Sequence, residues 1–102
     1  MGITVVLQDE RGTRLNVAED PRNWIASILP EPTDPSFPWA GTIDPYGDTT
    51  FNYLQAGRLL GEWRRLGESM ADANALALLK LVEGFLVRAS TERHLYVKFV
   101  GD

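Results

Sequence analysis

All six prolines of the chain, at positions 21, 30, 32, 35, 38 and 45, lie between residues 21 and 45. Proline fixes φ and supplies no amide hydrogen, so a segment this rich in it cannot run as a central strand or a long helix. Regular structure must come from the residues on either side, and the stretch from Pro30 to Pro38 is expected to cross the surface as an irregular connection.

On the amino-terminal side, Ile3, Val5 and Leu7 alternate with Thr4, Val6 and Gln8, the period-two pattern of a half-buried strand. Asp9-Glu10-Arg11-Gly12 reads as a polar turn with Gly12 at positive φ. Thr13, Leu15 and Val17 then alternate with Arg14, Asn16 and Ala18, completing a β-hairpin. Asp20-Pro21 supplies an N-cap acceptor and a proline at the first helical position. Trp24, Ile25, Ile28 and Leu29 form the apolar face of a short helix that Pro30 and Pro32 end.

Phe37, Trp39, Gly41 and Ile43 share one parity, which predicts a third strand over 37–43, confined to a sheet edge by Pro38. Asp44-Pro45-Tyr46-Gly47-Asp48 reads as a type I turn. A helix capped by Asp48 or Thr49 should follow, with Phe51 anchoring its first turn. Tyr53, Ala56, Leu60, Trp63 and Gly67 form its stripe, widened by Leu59 and Leu66. Gly67 ends that helix, and Ser69 to Asp72 begin another, giving an antiparallel αα-hairpin. The second helix carries Ala71, Ala75, Leu78, Val82, Phe85 and Ala89 on one stripe, with further leucines around its circumference. It is therefore either sandwiched in the core or an interface with another chain, so a homodimer through residues 69–90 is one reading. Leu95, Val97 and Phe99 mark a last strand beside the first. The order β-β-α-β-α-α-β predicts a single α+β domain over 1–102, a mainly antiparallel sheet covered on one face by the helical hairpin.

With 102 residues, 44% of them apolar, the chain has enough for one core and little more. The absence of cysteine excludes disulfides, thiolate metal sites and a cysteine nucleophile. The segment from Met1 to Leu7 has neither a basic leader nor a long apolar core, and no 18-residue apolar run follows, so a cytoplasmic protein without a membrane partner is expected. The net charge of −4 argues against nucleic acid. That charge is regional: residues 1–50 hold eight acidic and three basic side chains, the remainder six and seven.

No catalytic motif emerges. His94, the single histidine, reads as a surface residue at a strand end. No serine sits in a nucleophile elbow, and no glycine pattern cradles phosphate. Gly57, Gly61 and Gly84 fall inside predicted helices, where close packing is the simplest reason for them. Glu31, Asp34, Asp44 and Asp48 do not follow a calcium-loop spacing, so neither a metal nor a cofactor is expected. What stands out is a set of aromatics, Trp24, Phe37, Trp39 and Tyr46, interleaved with Asp20 and those same carboxylates. They either plug the loop into the core or form an acidic face for a basic partner, because interfaces are enriched in tryptophan and tyrosine. The second reading assigns protein binding to Glu31, Asp34, Trp39, Asp44, Tyr46 and Asp48, with Asn52 and Gln55 continuing into a polar helical strip that includes Arg58. A binding module is favoured over an enzyme. The alternatives are a small-molecule or enzymatic pocket beside the 44–48 turn, and a homo-oligomeric structural subunit.

Two segments carry a resemblance: Ile43-Asp44-Pro45-Tyr46-Gly47-Asp48-Thr49-Thr50-Phe51-Asn52 with Leu54-Gln55, and the ending from His94 to Asp102. Together they resemble a group of short uncharacterised bacterial proteins with an aspartate-proline-aromatic-glycine-aspartate turn and a tyrosine-containing last strand. The resemblance covers about a quarter of the chain and implies no catalytic residue. In size and acidity the chain is also similar to immunity proteins, which neutralise a cognate toxin, a likeness of general style without a shared motif.

Overall fold

The structure, a computed structural model, describes residues 2–101; Met1 and Asp102, which belong to the first and last segments quoted above, lie outside the described residues. Its elements are β1 (Thr4–Asp9), β2 (Arg14–Ala18), α1 (Trp24–Ile28), a 3-10 turn (Ala40–Thr42), β3 (Asp48–Phe51), α2 (Tyr53–Gly67), α3 (Ala73–Thr91) and β4 (Leu95–Val100). The four strands form one antiparallel sheet in the order β2-β1-β4-β3. The α2–α3 hairpin packs on the face that carries Ile3, Val5, Leu7, Val97 and Phe99. The α+β architecture and its element order follow the sequence pattern.

The first hairpin closes as its turn residues predict. Gly12 sits at φ 83°, and Asp9 Oδ1 accepts from the amides of Arg11 and Thr13 at 2.9 Å each. Beyond it, register shifts by one residue between Leu7 and Gln8, where Arg14 and Asn16 flank an extra residue, Leu15. The short helix starts later than expected. Asn23 adopts the left-handed conformation (φ 59°), and the Asp20 carboxylate, 2% exposed, accepts from Trp24 N at 3.0 Å and Ile25 N at 2.7 Å. Asp20 thus caps the helix across an intervening turn, and Pro21 lies in that turn instead of at the first helical position.

The third strand is not the one the parity of 37–43 suggests. Those residues curl back on themselves: the carbonyls of Phe37, Trp39 and Ala40 accept from the amides of Gly41, Thr42 and Ile43. The strand instead comprises Asp48–Phe51, pairing Thr49 with Phe99 and Phe51 with Val97. Its Thr-Thr-Phe run suits a pleated surface. Phe51 is buried and meets Phe99 edge-on at 5.7 Å, so it anchors the sheet and not a first helical turn. The following helix is capped by Asn52, displacing Asp48 and Thr49 from that role.

In α2 the buried line runs through Ala56, Leu59, Trp63 and Leu66, with Glu62 buried in their midst, while Leu60 is only half-buried. Trp63 stacks obliquely on Phe99 at 5.6 Å and donates its indole N–H to the Leu79 carbonyl at 2.9 Å, tying α2 to α3 and the sheet together. Asp72 caps α3, accepting from Asn74 N and Ala75 N, whereas Ser69 donates to the Leu66 carbonyl. Close packing does not account for the helical glycines. A Cβ at Gly61 or Gly84 would meet nothing within 4 Å, and one at Gly57 would make only ordinary contact with Ser90.

Candidate functional site

The proline-rich connection is bolted to α2 by three side chains spaced along one helical face, Arg58, Glu62 and Arg65. Glu62, 5% exposed, accepts from Ala40 N at 2.8 Å and from Trp39 N at 3.1 and 3.3 Å, one to each carboxylate oxygen. Those amides open the 3-10 turn and have no partner within it, so the carboxylate supplies the missing acceptors. Arg65 donates to the Ser36 carbonyl at 2.8 Å and lies 4.7 Å from the centre of the Phe37 ring. Arg58 lies 5.8 Å from the Trp39 ring centre. Phe37 and Trp39 are half-buried and pack against the core, so much of the aromatic content of this loop fastens it down.

Past this clamp the chain emerges into the 44–48 turn. Asp44 Oδ1 accepts from Tyr46 N at 2.8 Å, the Asp44 carbonyl accepts from Gly47 N at 3.4 Å, and Asp44 N donates to Thr49 Oγ1 at 3.0 Å. From the far side, Gly101 N donates to the Gly47 carbonyl at 2.7 Å. The fit is tight enough that a Cβ on Gly101 would lie 2.5 Å from Gly47 N and O. On this turn, fixed at both ends, the Tyr46 ring stands 84% exposed, the most exposed of the large apolar and aromatic side chains among the described residues.

The eight residues singled out in the sequence therefore divide. Tyr46, Asp44 and Asp48 share the turn and its exit into β3; Asp44 and Asp48 are exposed, and Asp48 Oδ2 lies 3.3 Å from Lys98 Nζ. Glu31 is exposed and Asp34 half-exposed, the latter accepting from Ser36 N at 2.9 Å. Trp39 belongs to the seam with α2. Asn52 and Gln55 bond each other's backbone amides at 2.9 Å in a reciprocal capping box, so they do not form a free polar strip. Arg58 is turned toward Trp39.

Glu62 and Arg65 were not among those eight. Glu62 did carry a signal: a lone carboxylate inside the apolar stripe, between Leu59 and Leu66 and beside Trp63, must have a buried donor to meet. His94 is exposed, with Nδ1 3.1 Å from Glu10 Oε2. A groove of about 330 Å³ lies between α2 and α3, floored by Trp63, Leu76 and Leu79, and none of residues 44–48 lines it. Among the described residues no cluster of three histidine or acidic side chains could hold a metal ion, and no helix is long and apolar enough to cross a membrane.

Neither the family models, the curated proteins nor the solved structures contain a match to this chain.

Proposed function

We propose that this protein is a small binding module that docks another protein through the turn at 44–48, with Tyr46 as the anchor. The observation that carries this reading is the pairing of extreme exposure with rigidity. A tyrosine ring brings large contact area and a polar tip at low conformational cost, and such anchors dominate interface energetics. Here the backbone beneath the ring is held by Asp44, Thr49 and Gly101, so little freedom remains to be lost when a partner arrives. Asp44, Asp48 and Glu31 lie exposed on the same 31–48 segment and favour a basic partner, speeding encounter more than they deepen affinity. Neutralisation of a basic cognate protein, the role immunity proteins play, is one form this activity takes.

Affinity purification from the native host with the wild-type chain and with Tyr46→Ala tests the reading. A basic protein retained by the wild type and lost by the variant, at unchanged melting temperature, is the expected result. A partner held equally by both chains would overturn the assignment of the turn.

A further inference from the structure

The groove of about 330 Å³ between α2 and α3 is floored by buried Trp63 and Leu79, with half-buried Leu76 on its α3 wall. That volume sits at the lower end of the range of small-molecule pockets, roughly 300–1,000 Å³. Two observations separate it from an ordinary helix seam. The first is Gly67, on the α2 wall. Its φ is not positive, and a Cβ there would come no nearer than 3.7 Å to Leu79 Cδ1, an ordinary contact, so neither the backbone nor the packing requires glycine. A longer side chain would extend toward Leu79 and take up the groove; glycine, disfavoured in a helix, keeps it open.

The second observation is charge. At one end of the groove Arg64 on α2 and Glu83 on α3 close across it, Nε to Oε2 at 3.3 Å. One turn further toward the connecting loop, Glu68 and Lys80 line the groove from its two sides. Both are exposed, and neither is in an ion pair among the described residues.

We propose that this groove binds a free apolar α-amino acid, leucine to phenylalanine in size. The ligand's side chain lies on Leu76 and Leu79, its carboxylate meets Lys80 and its ammonium meets Glu68. An unpaired cation and an unpaired carboxylate beside one apolar floor match a ligand that carries both charges on an apolar body. A ligand with one charge leaves one of the two side chains without a partner. No residue of the 44–48 turn lines the groove, so this site and the Tyr46 anchor stand or fall separately.

Titration of isotope-labelled protein with L-leucine and L-phenylalanine, followed by NMR, tests the proposal. Saturable shifts are expected at the Trp63 indole N–H and at the amides of Gly67, Leu76 and Lys80. Lys80→Gln and Glu68→Gln, both at exposed positions, should each weaken binding about two- to fivefold, the worth of an exposed charge pair. Phenylpropanoate, which lacks the ammonium, and phenylalanine amide, which lacks the carboxylate, should bind more weakly than phenylalanine to the same degree. Gly67→Leu should abolish the shifts while the resonances of the sheet stay in place. Leu54→Ala, at an exposed α2 leucine outside the groove, should leave the affinity unchanged. The absence of saturable shifts at the groove up to the solubility limit overturns the site. Phenylpropanoate binding as tightly as phenylalanine, or affinity undiminished in Glu68→Gln and Lys80→Gln, overturns the assignment of the ligand.

Discussion

Replacing Glu62 isolates the contact that fixes the proline-rich connection. Glu62→Gln keeps the shape of the side chain but turns one of its two acceptor oxygens into an NH₂ donor. The bond to Ala40 N at 2.8 Å can survive on the remaining oxygen, while the Trp39 amide, now shared between 3.1 and 3.3 Å contacts, faces a weaker acceptor. Hydrogen bonds to a charged group contribute about 1.5–3 kcal/mol each, neutral ones about 1, so the substitution should cost roughly 1–2 kcal/mol. Glu62→Ala removes both acceptors beside Ala40, which is fully buried, and opens space in the seam; about 3–5 kcal/mol is expected. For a domain of this length, 1 kcal/mol shifts the melting temperature by about 4–5 °C. Thermal unfolding followed by circular dichroism should therefore show losses of roughly 4–10 °C and 12–25 °C. Amide exchange at Trp39 and Ala40 should accelerate in both variants ahead of the β1 and β4 amides. A Gln variant as stable as the wild type would refute the reasoning, because it would mean that burying the charge costs as much as its hydrogen bonds return.

Two further substitutions probe the glycines. Gly61→Ala should raise stability by about 0.5–1 kcal/mol in urea denaturation, because the added methyl meets nothing and helix propensity improves; a loss would reveal a constraint on that face. Gly101→Ala should lower stability by roughly 1–3 kcal/mol and broaden the amide resonances of residues 45–47, since its methyl cannot share space with the Gly47 backbone. An unperturbed turn in that variant would show that the contact yields freely.

The parts of the fold that were legible in the sequence are those where one periodicity dominates. In α3 and β4 a repeat of three to four or of two runs over six or more residues, and burial follows it. The first hairpin was legible from its turn residues more than from its alternation, since Leu15 and Val17 of β2 stand exposed and Val5, Val6 and Leu7 of β1 are all buried. The third strand escaped because two short candidates competed. The longer had matching parity, but its amides at Trp39 and Ala40 were claimed by a carboxylate more than 20 residues away in sequence, and Asp48–Phe51 was left to pair with β4. The candidate site was legible in composition and not in arrangement. Tyr46 and Asp44 could be placed on a turn from Pro45 and Gly47, whereas the burial of Trp39 and the mutual bonding of Asn52 with Gln55 depend on where β3 ends and α2 begins. A shift of about four residues in that boundary was enough to turn an apparent surface strip into a cap.

The placement of β1 beside β4 at the centre of the sheet has a consequence for how the molecule is made. Thr4 lies across from Val100, so the two middle strands are drawn from opposite ends of the described chain. On the ribosome the first hairpin emerges with Ile3, Val5 and Leu7 uncovered, and it lacks a central neighbour until residues 95–100 have been synthesised. Contacts of such long sequence separation slow folding and prolong the exposure of apolar strand surface. Rejoining the chain near residues 4 and 100 and opening it in the exposed stretch at Glu31–Thr33 would make this pairing a local hairpin and leave the β1–β2 hairpin intact. The same native contacts would then be reached by a shorter search.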